Sequence, residues 1–130
     1  MIPALAAVLA VLAQAPAHGQ QRAAVEPWTW SLYDHGAKVT LAHEVPDTDR
    51  LSEVFECTRA TGDIKVSIYP GGDAKSAQKF ETAMTVRDPR FPTFVQTGKL
   101  TVTQGEQNAA VTVAGKDLQT LARFGKLCGA

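Results

Sequence analysis

The sequence predicts a mostly β fold: an antiparallel sandwich or open barrel of about seven short strands with a C-terminal helix. Three observations predict it. Short runs along the chain alternate apolar and polar residues with a period of two, the pattern of half-buried strands. Turns built from Gly, Pro, Asn and Asp separate the runs. Only the last stretch, Lys116 to Cys128, keeps a helical period. No strand–helix–strand alternation is present, so the strands are expected to pair antiparallel. A length of 130 residues suits one domain.

The elements follow in order. Trp28, Trp30 and Leu32 share one face of a first strand. Asp34-His35-Gly36 turns the chain, and Lys38 to His43 alternates again, so the two runs make a hairpin. Pro46-Asp47-Thr48-Asp49 is a connection of turn formers. Leu51 to Thr58 is a third strand, and Ile64 to Tyr69 a fourth, with Ile64, Val66 and Ile68 pointing one way. Pro70-Gly71-Gly72-Asp73 ends it, residues 74–79 are polar, and Phe80 to Val86 alternates once more. Asp88-Pro89 reads as a helix start, with Asp as cap and Pro at the first helical position. Phe91, Phe94 and Val95 keep helical spacing up to Gly98, and Pro92 predicts a short helical turn only. Lys99 to Thr103 and Asn108 to Val113 are two further strands around Gly105. In the terminal helix Leu118, Leu121, Ala122, Gly125 and Cys128 form one apolar stripe.

Residues 4–13 are an unbroken apolar run without charge. A membrane span needs about 20 such residues, so this run has instead the length of a secretory signal's hydrophobic centre. Ala15-Pro16-Ala17 supplies the small-x-small pattern of a cleavage site. Residues 1–17 are therefore expected to be a signal peptide, 18–26 a flexible segment, and 27–130 a single β-rich domain. No Cys follows the run, so no lipid anchor is expected, and the mature chain is expected to lack a transmembrane segment. The expected location is periplasmic or secreted.

Export brings Cys57 and Cys128 into an oxidising compartment, where an even pair bridges. A redox pair is close in sequence, as in Cys-x-x-Cys, and these two are far apart. A structural disulfide pinning the terminal helix to the β core is expected.

Charge excludes some functions. With 13 Lys and Arg against 13 Asp and Glu the formal net charge is zero. A nucleic-acid binder needs a basic surplus to displace counterions, and a polybasic membrane anchor needs the same.

Specific sites are sparse. His43, Glu44, Asp47 and Asp49 could offer oxygens to Ca²⁺, but no EF-hand loop surrounds them, and a solvated turn accounts for them. His35 and His43 sit at opposite ends of one strand, roughly 25 Å apart if extended, so they cannot share a zinc ion. His43 continues the face of Val39 and Leu41. No nucleophile elbow and no phosphate loop is present. Neither cofactor nor metal is expected, and no catalytic set is readable. Aromatics are the best binding material: Tyr33 and Tyr69 on polar strand faces, and Phe91 and Phe94 on an excursion between strands. Core packing is the competing account of Phe91 and Phe94. Trp28 and Trp30 read as core, with an aromatic strip for carbohydrate or peptide as the alternative.

Trp30-x-Leu32, Val45-Pro46-x-Thr48-Asp49, Cys57, Val66-x-Ile68, Gly98-x-Leu100-x-Val102 and Cys128-Gly129 stand in an order that resembles small exported proteins of alphaproteobacteria. The resemblance covers nearly all of the mature chain and carries no catalytic residues with it. The export, size and single-disulfide plan are also similar to periplasmic lysozyme inhibitors, whose loop signature is absent here, so that likeness implies fold alone.

The expected function is a non-enzymatic exported binding or accessory module acting on a periplasmic protein or small ligand. The alternatives are a small hydrolase or lyase using His43 with Asp47 or Asp49, and a structural envelope component working through an edge strand.

Overall fold

A computed structural model describes residues 27–129. The expected signal peptide (1–17) and the segment 18–26 lie outside the described residues, as does Ala130. Five strands run as one antiparallel meander in chain order: β1 (Thr29–Asp34), β2 (Lys38–Glu44), β3 (Leu51–Thr58), β4 (Asp63–Ile68) and β5 (Phe80–Thr85). A helix, α1 (Arg90–Thr97), leads to a separate hairpin of β6 (Lys99–Gln104) and β7 (Gln107–Thr112), and α2 (Asp117–Gly129) ends the described chain. The fold is mostly antiparallel β in two sheets that do not close into a barrel. The expected strands and terminal helix are therefore present, in an open arrangement.

Register decides which side chains are buried. Leu41 pairs with Phe55 and Phe55 with Val66, while Cys57 lies between Val39 and Ile64. Directly opposed residues point to one face, so these rows make a continuous apolar surface. The hairpin and both helices cover it. Leu100, Val102, Val111 and Val113 come from the hairpin side, Phe91 and Phe94 from α1, and Leu121, Phe124 and Cys128 from α2. Phe94 stacks on Phe55 at 5.0 Å, and Phe124 meets both Phe55 and Phe91 edge-on at 6.3 and 6.2 Å. Such pairs add about 0.5–1.5 kcal/mol each beyond area burial. The opposite face of the meander is polar, with cross-strand pairs such as Lys38–Glu56 and Lys65–Glu81.

Phe91 and Phe94 pack into the core, as the core reading expects. Both are buried, Phe94 completely, because α1 turns them onto the sheet. The helix is also longer than expected, eight residues. Pro92 falls in its first turn, where the missing N–H has no intrahelical partner to lose.

The disulfide joins Cys57 of β3 to Cys128 of α2 across 71 positions, with both residues buried. Gly125 lets the two helices approach: a Cβ there would lie 2.9 Å from Val95. Among the described residues no helix is long and apolar enough to cross a membrane.

Candidate functional site

The aromatic and polar groups converge at one end of the inner face. Trp30 of β1 is opposed by His43 of β2, and His43 by Glu53 of β3. The three therefore form one row on the apolar face. The His43 ring stacks on Trp30, with 4.7 Å between centroids, and Trp28 tilts against it at 5.1 Å. The imidazole touches both indoles and keeps 28% of its side-chain surface exposed.

Its hydrogen bonding is set by an irregularity in the sheet. The register slips between His43 and Glu44, so Glu44 pairs with Leu51 rather than Ser52. Such a slip re-aims a side chain. Ser52 Oγ lies 2.6 Å from His43 Nδ1, and Glu53 Oε2 lies 3.5 Å from the same nitrogen. Hydroxyl and carboxylate thus share one ring nitrogen, and Nε2 has no hydrogen-bond partner among the described residues.

A glycine turn forms the opposite wall. The Tyr69 N–H donates to the Ser52 carbonyl, and Pro70–Gly72 then makes a single 3-10 turn. Gly72 has φ +68°, and a Cβ there would meet the Trp28 ring at 3.0 Å. Glycine is required at that position by both conformation and space. Arg50 ties the wall down: its Nε donates to the Gly72 carbonyl at 3.1 Å, and its guanidinium lies 5.4 Å from the centroid of Trp28. The result is an open cleft of about 400 Å³ lined by Trp28, His43, Ser52, Gly71 and Gly72.

A larger concavity of about 580 Å³ lies beside the hairpin, lined by Gln78, Lys79, Phe80, Gln104 and Gln107 among others. Gln104 there bridges the break between the sheets, its Oε1 accepting the Glu81 N–H. The smaller cleft is the better candidate because the half-buried rings of Trp28 and His43 and the Ser52 hydroxyl converge in it.

The other anticipated residues lie elsewhere. Tyr33 is on the outer face, where its hydroxyl donates to Glu44 and its ring stacks on His35. The hydrogen bond to Glu44 holds the Tyr33 phenol above its usual range, with desolvation adding to the effect. The Tyr69 ring lies beneath Lys79 Nζ at 5.8 Å, so Tyr69 reaches the cleft through its backbone. Asp49 pairs with Lys75 at 3.1 Å, and Asp47 occupies a left-handed turn position at φ 64°. The carboxylate beside His43 is Glu53, in place of the anticipated Asp47 or Asp49. Among the described residues no three of His, Cys, Asp and Glu converge to hold a metal ion. No protein-family model, curated protein or solved structure matches the chain.

Proposed function

We propose that this chain is an exported, non-enzymatic binding module whose ligand seats in the open cleft lined by Trp28, His43, Ser52, Gly71 and Gly72. The observation that carries the reading is the contact of His43 with both Trp28 and Trp30 in the lining of an open cleft. Aromatic walls with a few fixed polar groups are the usual make-up of small-molecule sites. Support for export comes from residues 4–17 and from the disulfide, a bond that persists in oxidising compartments. The export half is tested by mass spectrometry of the protein from its native host, where a mature chain starting at His18 is expected. The site half is tested by ¹⁵N-resolved NMR against a fragment library. Ligands are expected to shift the indole N–H signals of Trp28 and Trp30. Hits clustering at Tyr33, or in the groove between α1 and α2, would refute the placement.

The 2.6 Å contact of Ser52 with His43 favours a second reading, a small hydrolase with Ser52 as nucleophile and His43 as base. Against it, Glu53 faces the same Nδ1 and does not hold the far nitrogen, as an orienting acid would. A fluorophosphonate probe decides: labelling of Ser52 that vanishes in His43→Ala would establish the hydrolase.

A further inference from the structure

We infer that the outer edge of β7 pairs with the same edge of a second copy of this chain, antiparallel about Ala110, so that two β6–β7 hairpins join into one continuous sheet. The inference is independent of the cleft and of any ligand there.

The hairpin fixes which backbone groups β7 presents. A two-residue turn, Gly105 and Glu106, joins Gln104 to Gln107, and Gly105 has φ +61°. In such a hairpin the pair that closes the turn exchanges both main-chain bonds, and bonded and non-bonded pairs then alternate. Val102–Ala109 and Leu100–Val111 are therefore bonded pairs, while Thr103–Asn108, Thr101–Ala110 and Lys99–Thr112 are not. The main-chain N–H and C=O of Asn108, Ala110 and Thr112 thus point away from β6, and they have no hydrogen-bond partner among the described residues. On β5, by contrast, the outward N–H of Glu81 is already taken by the Gln104 side chain.

Exposed edges are ordinarily defended by Lys, Pro or a bulge. None of these occurs on β7: residues 107–114 read Gln-Asn-Ala-Ala-Val-Thr-Val-Ala, without charge or proline, and the β6–β7 register is continuous. The strand is also complementary to itself. A two-fold axis at Ala110 sets Ala110 against its own copy, Asn108 against Thr112, and Ala109 against Val111. Asn108, Ala110 and Thr112 are exposed and short, so two backbones can close to ladder distance, and each opposed pair in that row would exchange both of its main-chain bonds. Asn108 Oδ1 accepts from the Thr103 hydroxyl at 2.9 Å, which leaves its amide N–H groups to donate to the Thr112 hydroxyl of the second copy. Charge sets the direction. Glu106 precedes the neutral stretch and Lys116 follows it. Antiparallel pairing brings the glutamate end of one copy to the lysine end of the other, whereas parallel pairing would bring like charges together. An edge of 6 residues is small. It buries less than the roughly 1,600 Å² of a standard interface, so a weak dimer is expected, with Kd between about 10 μM and about 1 mM.

The test is sedimentation equilibrium of the mature chain from about 10 μM to about 1 mM, with ¹⁵N NMR spectra over the same range. A concentration-dependent dimer is expected. The amide signals of Asn108, Ala110 and Thr112 should shift as it forms and gain protection from hydrogen exchange. Ala110→Pro deletes an outward N–H and spares the bonds to β6, so it is expected to weaken association at least tenfold. Should the proline disturb the hairpin, Ala110→Lys and Ala110→Glu test the same edge through an exposed side chain. Each alone sets like charges opposite at the axis and is expected to stay monomeric, and an equimolar mixture of the two is expected to dimerise again. A wild-type protein that stays monomeric throughout overturns the inference. A dimer that both charged variants retain at full strength, or whose shifted signals lie on β1 or β5, overturns it as well. Loss in the single variants without recovery in the mixture overturns the two-fold register at Ala110. None of these measurements involves a ligand, so their outcome is separate from that of the cleft.

Discussion

The imidazole of His43 lies nearly parallel to the indole of Trp30, with 17° between planes, and both are held on one cross-strand pair. The two tryptophans beside it differ in burial: Trp30 is 7% exposed and belongs to the core, while Trp28 is only half-buried at the rim. Trp30→Ala is therefore expected to cost about 3–5 kcal/mol, the range for deleting a buried large aromatic. Trp28→Ala is expected to cost clearly less and to leave a folded protein. Urea unfolding of the two variants measures this; equal losses would make Trp28 a core residue and remove it from the site.

The disulfide is expected to act on the unfolded state. Closing a loop of 71 positions restricts the denatured chain, worth roughly 4 kcal/mol in the chain-entropy account. Replacing both Cys57 and Cys128 by Ala should lower the unfolding free energy by up to that amount. Because both sulfurs are buried, reduction of the native protein by dithiothreitol should proceed at the rate of opening rather than rise in proportion to reductant. Rapid reduction of the folded protein, linear in reductant, would contradict the burial.

Gly98 ties the end of α1 to the end of β7. It has φ +77°, its carbonyl accepts the Val113 N–H at 2.7 Å, and a Cβ would fall 1.9 Å from the Val113 carbonyl oxygen. Gly98→Ala must therefore break this junction as well as adopt a left-handed backbone. Gly105→Ala provides the control, since Gly105 has φ +61° with nothing within 4 Å. The control is expected to cost about 1–2 kcal/mol for the backbone alone, and Gly98→Ala distinctly more. Thermal melts of the pair check it, and equal losses would show that the junction yields at no cost.

The strands were readable because each carries its own alternation. Ile64, Val66 and Ile68 face inward as their period of two demands. Long-range pairings left no such local mark. His43 looks in sequence like a neighbour of Asp47 and Asp49, yet the β2–β3 register brings Glu53 and Ser52 to it instead. The slip at His43 and Glu44 that aims Ser52 is a property of two strands together, so neither strand shows it alone. Phe124 was the signal missed in the terminal helix: Leu121, Phe124 and Cys128 are its buried residues, spaced i, i+3, i+7. Phe91 and Phe94 illustrate the converse: α1 turns both onto the core, and the stacking of Phe94 on Phe55 of β3 is a pairing that the sequence of α1 alone does not show.

Asp88 gives the fold a defined acid response. Its carboxylate accepts hydrogen bonds from Arg90 Nε and Nη2, the latter at 2.7 Å, and from the Arg90 backbone N–H at 3.0 Å. The guanidinium contact, more than the backbone N–H, pushes the Asp88 pKa down to about 2 from its ordinary 3.8. A depressed native pKa means that the folded state binds fewer protons than the unfolded state between those two values, so stability rises with pH there. The contribution is complete above about pH 4 and disappears as pH falls toward 2. Asp88→Asn keeps an acceptor for the backbone N–H but loses the charge. The variant is expected to melt below the wild type at pH 5–7 and to converge with it near pH 2. The pair is exposed, so the gap should narrow in 0.5 M salt. Melting temperatures of both proteins across pH 2–7 at two salt concentrations make the measurement, and a gap that persists unchanged at pH 2 would assign the loss to packing at the start of α1 instead of to the ion pair.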